Sequence, residues 1–279
     1  MAVIITVANK KGGVGKTTTA VNLAAGLSIR LRFTREGRTN RVLLIDLDPM
    51  ANAILALDFE NHEASPEKSI YALLNNSPTP SPQPFLKQAQ YHENLFYIPS
   101  NKAAMGRLSR DIFPTLMRRE TRLQNLIRQI EKHFDYIIID TPPTVDYMMI
   151  NALVACTHTL FPVEASYLGA FGLQEIEKTV EELEIHFDKK IKTLGILPTM
   201  ADERLSDATA TLLELKHIYK DLLLDPIHLS SDIKEAHARH CDVFTYKPPR
   251  SREGGQLSSS SRPTQEYGEL VNTVVEKTN

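Results

Sequence analysis

Between Ala8 and Thr19 the chain reads Ala-Asn-Lys-Lys-Gly-Gly-Val-Gly-Lys-Thr-Thr-Thr, glycines set among lysines and closed by hydroxyls. These residue types in this order suit phosphate. Gly12, Gly13 and Gly15 allow backbone conformations in which successive N–H groups converge on an anion. Lys16 is placed to reach β- and γ-phosphates and Thr17 to offer its hydroxyl to Mg²⁺, with Val14 and Thr18 completing the loop, as in the pattern G-x-x-x-x-G-K-[ST]. Two acidic segments could share that chemistry. One is Asp46-Leu47-Asp48-Pro49, directly after the apolar run Val42-Leu43-Leu44-Ile45. The other is Asp140, at the end of Tyr136-Ile137-Ile138-Ile139 and before Thr141-Pro142-Pro143. Carboxylates at the carboxyl ends of parallel strands face the crevice where ligands of open α/β sheets bind, and Asp140 is placed to hold Mg²⁺ through water.

The elements that must position these groups follow a βα rhythm. A β-branched run, Val3 to Val7, precedes the glycine loop, and Thr17 to Ile29 reads as a helix with apolar Val21, Leu23, Ala24 and Leu27. The loop therefore falls where a buried strand becomes a helix, whose N-terminus adds partial positive charge. Further strands are predicted at Val42–Ile45, Leu95–Ser100, Asp135–Asp140, Thr159–Val163 and Ile191–Leu197. Helices are predicted at Ile70–Leu74, over the whole of Pro114–Phe134 with a basic outer face that includes Arg122, and around Leu173, Ile176, Val180, Leu183 and Phe187. Leu205–Tyr219, Ser231–Arg239 and Gln265–Glu276 complete the set. Continuous apolar strands with intervening helices argue for an α/β fold, a doubly wound, mostly parallel sheet with helices on both faces. We expect one domain over residues 1–279, with mobile loops at 76–84, where prolines alternate, and at 247–263, rich in Pro, Gly and Ser. The basic connection from Arg30 to Arg41 reads as a solvated loop.

Composition narrows the function classes. The chain has 279 residues, 42% hydrophobic and 24% charged, with a formal net charge of −2, and no apolar run approaches a membrane span. No basic leader precedes the first strand, so a cytoplasmic location is expected. The two cysteines, Cys156 and Cys241, show no metal-ligand spacing and read as buried thiols. His237 and His240 read as a solvated pair on one helix face.

The glycine loop departs from the general pattern at its first position, which is Lys10, and adds Lys11. Lys11-Gly12-Gly13-Val14-Gly15-Lys16-Thr17-Thr18 resembles the deviant Walker A motif of the ParA/MinD family of P-loop ATPases. Asp46-Leu47-Asp48-Pro49-Met50-Ala51-Asn52-Ala53 resembles that family's switch I, with Met50 where glutamine is usual, and Asp140-Thr141-Pro142-Pro143 its switch II. The resemblance runs from Ile4 to Val275 and is nearest to ParA-like plasmid and chromosome partitioning proteins without an N-terminal helix-turn-helix. It implies ATP and Mg²⁺ as cofactors, Lys11, Lys16, Asp48 and Asp140 as catalytic residues, and Thr17, Asp48 and Asp140 around the metal, Asp48 positioning the attacking water. It implies a homodimer in which Lys11 reaches the partner's nucleotide, nonspecific nucleoid DNA as a track, and a ParB-like or cargo-adaptor protein that stimulates hydrolysis. Adenine contacts fall on Met200, in a T-M-x-D segment, and on Pro226 or His228. The family's DNA-binding arginine is replaced by Asp232, leaving Lys234, Arg239, Lys247, Arg250 and Arg252 as a substitute patch. A nitrogenase-type iron protein is excluded by Pro143 and Thr144, where a cluster-ligating cysteine is needed. The acidic segment Glu266–Lys277 reads as a docked helix, not a MinD-type membrane anchor. The expected function is an ATP-dependent dimerising switch for partition or cargo positioning. The alternatives are a nucleotide-gated recruitment module without direct DNA binding, MinD-like or for positioning a protein compartment, and a metabolic ATP-dependent ligase on a similar fold.

Overall fold

A seven-stranded sheet with the order β3-β4-β2-β5-β1-β6-β7 carries the molecule. Its strands are β1 (Val3–Val7), β2 (Val42–Asp46), β3 (Lys87–Ala89), β4 (His92–Tyr97), β5 (Tyr136–Asp140), β6 (His158–Glu164) and β7 (Lys192–Thr199). All neighbours are parallel except β3, which runs antiparallel along the β4 edge. The computed structural model describes residues 1–29, 40–202, 204, 206–247 and 261–279. The helices are α1 (Lys16–Ile29), α2 (Asn52–Leu57), α3 (Ile70–Asn75), α4 (Lys102–Arg107), α5 (Arg122–Ile130), α6 (Tyr147–Ala155), α7 (Tyr167–His186), α8 (Ser206–Tyr219), α9 (Ser231–Ala238) and α10 (Arg262–Thr278).

The strands explain why helices must cover both faces. Their apolar residues are continuous, yet consecutive side chains point to opposite sides. Ile4, Leu43, Ile45, Ile137 and Ile139 enter one core with Leu123, Leu126, Met148, Leu173 and Ile176 from α5, α6 and α7. Ile5, Val7, Val42, Leu44 and Ile138 enter the other with Val21, Leu23, Ala24 and Leu27 of α1 and Ile54 of α2. α10 closes that second layer by burying Tyr267, Leu270, Val271, Val274 and Val275. Its apolar stripe thus docks on the protein's own core, and among the described residues no helix is long and apolar enough to cross a membrane.

Several boundaries depart from the sequence expectation. The predicted helix Pro114–Phe134 is helical only as α5, flanked by 3-10 turns at Phe113–Thr115, Arg119–Thr121 and Glu131–His133. Arg118 adopts φ 50°, a left-handed conformation that an α-helix does not continue through. Arg122 is buried rather than solvated, because its guanidinium donates to the carbonyls of Asn76 (2.9 Å) and Met117 (3.2 Å). That contact ties down the start of segment 76–84, which is otherwise largely exposed and non-helical apart from the turn Gln83–Phe85. β4 begins at His92, three residues before the expected Leu95, and pairs with β3, whose three residues carry no apolar alternation to announce it. The basic connection loses residues 30–39, and the loop 247–263 loses 248–260, to the undescribed part of the chain. Cys156 and Cys241 are buried free thiols.

Gly26 shows how tightly α1 meets the second layer. A Cβ there would stand 2.6 Å from Val271 Cγ2 and 2.9 Å from the Phe244 ring. Gly26→Ala should therefore destabilise the protein by about 1–3 kcal/mol through overpacking, outweighing the roughly 1 kcal/mol that alanine adds to a helix. Urea unfolding measures the sign; a stabilised variant would mean that α10 yields freely.

Candidate functional site

The glycine loop leaves the carboxyl end of β1 and is pinned from several sides. Gly13 and Gly15 have φ of +77° and +80°, a conformation that side chains resist, so glycine is required there. Asn9 Nδ2 donates to Pro162 O at 2.7 Å, and its Oδ1 accepts the Lys11 N–H at 2.9 Å. The Thr199 hydroxyl lies 3.0 Å from the Val14 carbonyl oxygen and 3.1 Å from that of Val163, clasping the loop to β6 and β7. Thr141 Oγ1 donates to Val7 O at 2.8 Å, which fixes the segment after β5 against the start of the loop. The sequence singled out neither Thr199 nor a role for Asn9, since a lone threonine at a strand end has no motif.

Lys16 opens α1 and is buried, its ammonium donating to the Lys11 carbonyl at 2.9 Å. Burial lowers its pKa, and the charges of Asp140 and Asp48 act against that shift. The loop's two other lysines face away from Lys16. Lys10 pairs with Glu175 at 3.0 Å, and the Lys11 ammonium is ion-paired with Glu164 at the end of β6.

The two acidic segments divide their work. Asp46 and Asp140 are register partners on adjacent strands, each buried. Asp46 accepts the N–H groups of Asp48 (2.9 Å) and Ala53 (2.8 Å), so it shapes the turn Asp48–Ala51 and spends its oxygens on backbone. Ala51 holds φ 54° in that turn. Asp48 is then free to line the cleft, although one of its oxygens also accepts the Met50 N–H. Asp140 is different: neither carboxylate oxygen completes a hydrogen bond to a protein donor. Burial, above all, pushes its pKa up to about 7, and Asp48 adds to this; the nearby Thr17 hydroxyl, Lys16 charge and Thr141 N–H favour the ionised form. Asp46 is raised for the same first reason, with Asp140 and Asp48 contributing. A buried carboxylate with both oxygens unspent beside a phosphate loop fits a divalent cation or its water shell. Among the described residues no group of three or more His, Cys, Asp or Glu could hold a metal without further help. Mg²⁺ would thus take the Thr17 hydroxyl and phosphate oxygens, with Asp140 and Asp48 behind them.

The cleft that these groups line encloses about 540 Å³. Its phosphate end holds Gly12, Gly13, Gly15, Lys16, Thr17, Thr18 and Asp48. Its far end is made by Met200, by Ile227 to Ser230, by Ile233, Lys234 and His237 of α9, and by Tyr267. Met200 and His228 therefore stand where the sequence expected a base. Pro226 does not: it lines a separate small cleft with Glu266 and Leu270 of α10. The reason is backbone pairing, since Leu224 N–H and Ile227 N–H bond to the carbonyls of Ile196 and Pro198 and carry the chain along β7. Lys234, expected in a DNA patch, lies instead on the cleft wall. Arg239 ends α9 with its guanidinium over the Tyr246 ring, 5.5 Å from the centroid, and Lys247 is exposed. Arg250 and Arg252 lie outside the described residues. His237 and His240 are not a solvated pair, because His237 joins the cleft wall and His240 stacks on Phe59 at 4.3 Å.

Residues 2–193 match the model of a family described as an AAA domain. The chain is 33% identical to the sporulation initiation inhibitor protein Soj of Bacillus subtilis over 253 residues, 90% of this chain and 94% of Soj. It is 32% identical to the chromosome partitioning protein ParA of Myxococcus xanthus over 80% of this chain and 74% of that protein. Among solved structures, an ATP complex of McdA from Cyanothece superposes with a TM-score of 0.78 at 22% identity, covering 98% of this chain and 96% of McdA, and shows the shared fold.

The strained charge of Asp140 predicts a pH dependence. A carboxyl whose folded pKa is raised holds a proton that the unfolded chain has already released, so its contribution is fully present below the unfolded value near 3.8 and is lost as pH rises through about 7. Without ligand, Asp140→Asn should flatten that decline and be more stable than the parent at pH 8 by on the order of 2 kcal/mol. Urea titrations across this range test it; equal slopes in the two proteins would contradict it.

Proposed function

Because the chain belongs to the ParA/Soj family of partitioning ATPases, we propose that it is an ATP-driven dimerising switch whose ATP-bound dimer grips nonspecific DNA. A partner protein on the cargo, ParB-like or an adaptor, stimulates hydrolysis and releases the dimer. The observation that carries this reading is the placement of the two loop lysines. Lys16 points into its own cleft, whereas Lys11 turns out of it toward Glu164. An amine that does not serve its own phosphates is available to a second subunit's.

In this scheme the loop amides and Lys16 hold the β- and γ-phosphates, Thr17 meets Mg²⁺, Asp140 orients the metal's water, and Asp48 positions the attacking water. Mg²⁺ supplies charge neutralisation at the transferring phosphoryl group. Among the described residues no arginine lines the cleft. Hydrolysis should then be slow until cationic charge arrives in trans, since such charge contributes on the order of 10³–10⁵ to related reactions. Lys11 of a second copy and a partner-induced rearrangement are the proposed sources.

A second reading is a nucleotide-gated recruitment module that does not touch DNA. It is favoured by Asp232 in place of the expected arginine and by Lys234 on the cleft wall rather than in a surface patch. Membership of a partitioning family weighs against a metabolic ligase, for which partner-stimulated ATP turnover without any small-molecule product is the discriminating assay.

Lys11→Gln should bind ATP as the parent does yet fail to dimerise on adding it; light scattering reads this, and a dimer that persists would refute the trans role. Asp48→Ala, blocked in hydrolysis, should stay on nonspecific DNA in ATP and come off as salt is raised. Absence of retention with intact ATP-dependent dimerisation would favour the recruitment module.

A further inference from the structure

The base end of the cleft has apolar walls, with Met200, Ile227, Leu229 and Tyr267 among its lining residues. Such pockets orient a ligand through the few polar groups they contain. Most of those here are already committed. His228 gives its backbone N–H to Glu266 at 2.9 Å, and its Nδ1 lies 2.7 Å from the same carboxylate. The Ser230 hydroxyl caps α9 by accepting the Asp232 N–H at 3.2 Å. Lys234 is exposed. His237 stands apart from these. It lies one helical turn beyond Ile233, on the same face of α9, and its Nε2 is buried without any hydrogen-bond partner.

A buried polar atom that bonds nothing carries a cost that a bound ligand can relieve. Burial also lowers the pKa of this ring, so it is neutral near pH 7 and holds one donor and one acceptor. Resting on the ATP reading above, we propose that His237 reads the nucleobase, with Nε2 accepting a hydrogen bond from the 6-amino group of adenine. Guanine presents a carbonyl oxygen at that position, which would face the nitrogen lone pair, so the same contact sets the preference for ATP over GTP. The Nδ1–H tautomer is the one that this contact selects.

The test compares ligands as well as variants. Equilibrium binding is measured with Mg²⁺ for ATP, GTP and purine riboside triphosphate, which lacks only the 6-amino group, and for inorganic tripolyphosphate. The parent protein should bind ATP about tenfold more tightly than purine riboside triphosphate, the value of one hydrogen bond. In His237→Phe that ratio should fall to near one while tripolyphosphate binding is unchanged; His237→Gln, whose amide oxygen can accept the same bond, should keep part of the ratio. A parent that binds the two triphosphates equally overturns the proposal without any variant. So does a His237→Phe protein that keeps the ratio, or one that loses tripolyphosphate to the same extent as ATP, since that is what a merely structural histidine would do. A parent that binds tripolyphosphate but neither ATP nor its analogue overturns the ATP reading itself, and the contact with it.

Discussion

Two carboxylates forced side by side at the carboxyl edge of the sheet are the constraint on which this site depends. Asp46 and Asp140 are direct register partners on β2 and β5, and Asp140 is also paired with Val7, the last residue before the glycine loop. Like charges held at adjacent backbone positions and cut off from water cannot both ionise cheaply. Asp46 is relieved by two backbone N–H groups, and that relief builds the turn which presents Asp48. Asp140 receives no such bond and faces the loop instead. The energetic strain of the apo site and its capacity for a cation therefore have one origin.

Around that core the loop is held rigid by contacts from distant segments. Thr199, Thr141 and Asn9 each join one strand's end to another's. Groups held this way need little reorganisation to meet a phosphate, which is the condition under which fixed dipoles and charges are most effective. The lysine side chains are the movable parts. Lys16 now bonds the loop's own carbonyl, and Lys11 is held by Glu164, so each has an intramolecular partner that an anion must displace.

How much of this was legible from the sequence differs by residue. The order of strands and helices was largely readable, because apolar runs of strand length and helical spacing are local patterns. The segment 114–134 failed because its apolar spacing outlasts its helix: Arg118 turns left-handed and Arg122 is drawn inward to the carbonyls of Asn76 and Met117. β3, with one buried residue, offered no period to detect. Pro226 and Lys234 were misassigned because which side of a strand or helix faces the cleft depends on its pairing with β7 and its packing, not on its spacing in the chain.

By itself the sequence determined the phosphate loop, since glycines at positions that need positive φ, a lysine and a hydroxyl at a helix start are all set within twelve residues. It also determined that acids end apolar strands, for the same local reason. Only the tertiary structure decided that Asp46, not Asp48, is spent on backbone, that Asp140 is left unpaired, that Lys11 leaves its own cleft, and that His237 enters the cleft wall. Those outcomes follow from strand register and from competition among partners far apart in the chain. Hydrogen bonds and burial are allotted by distance in space, and a one-dimensional pattern does not carry that distance.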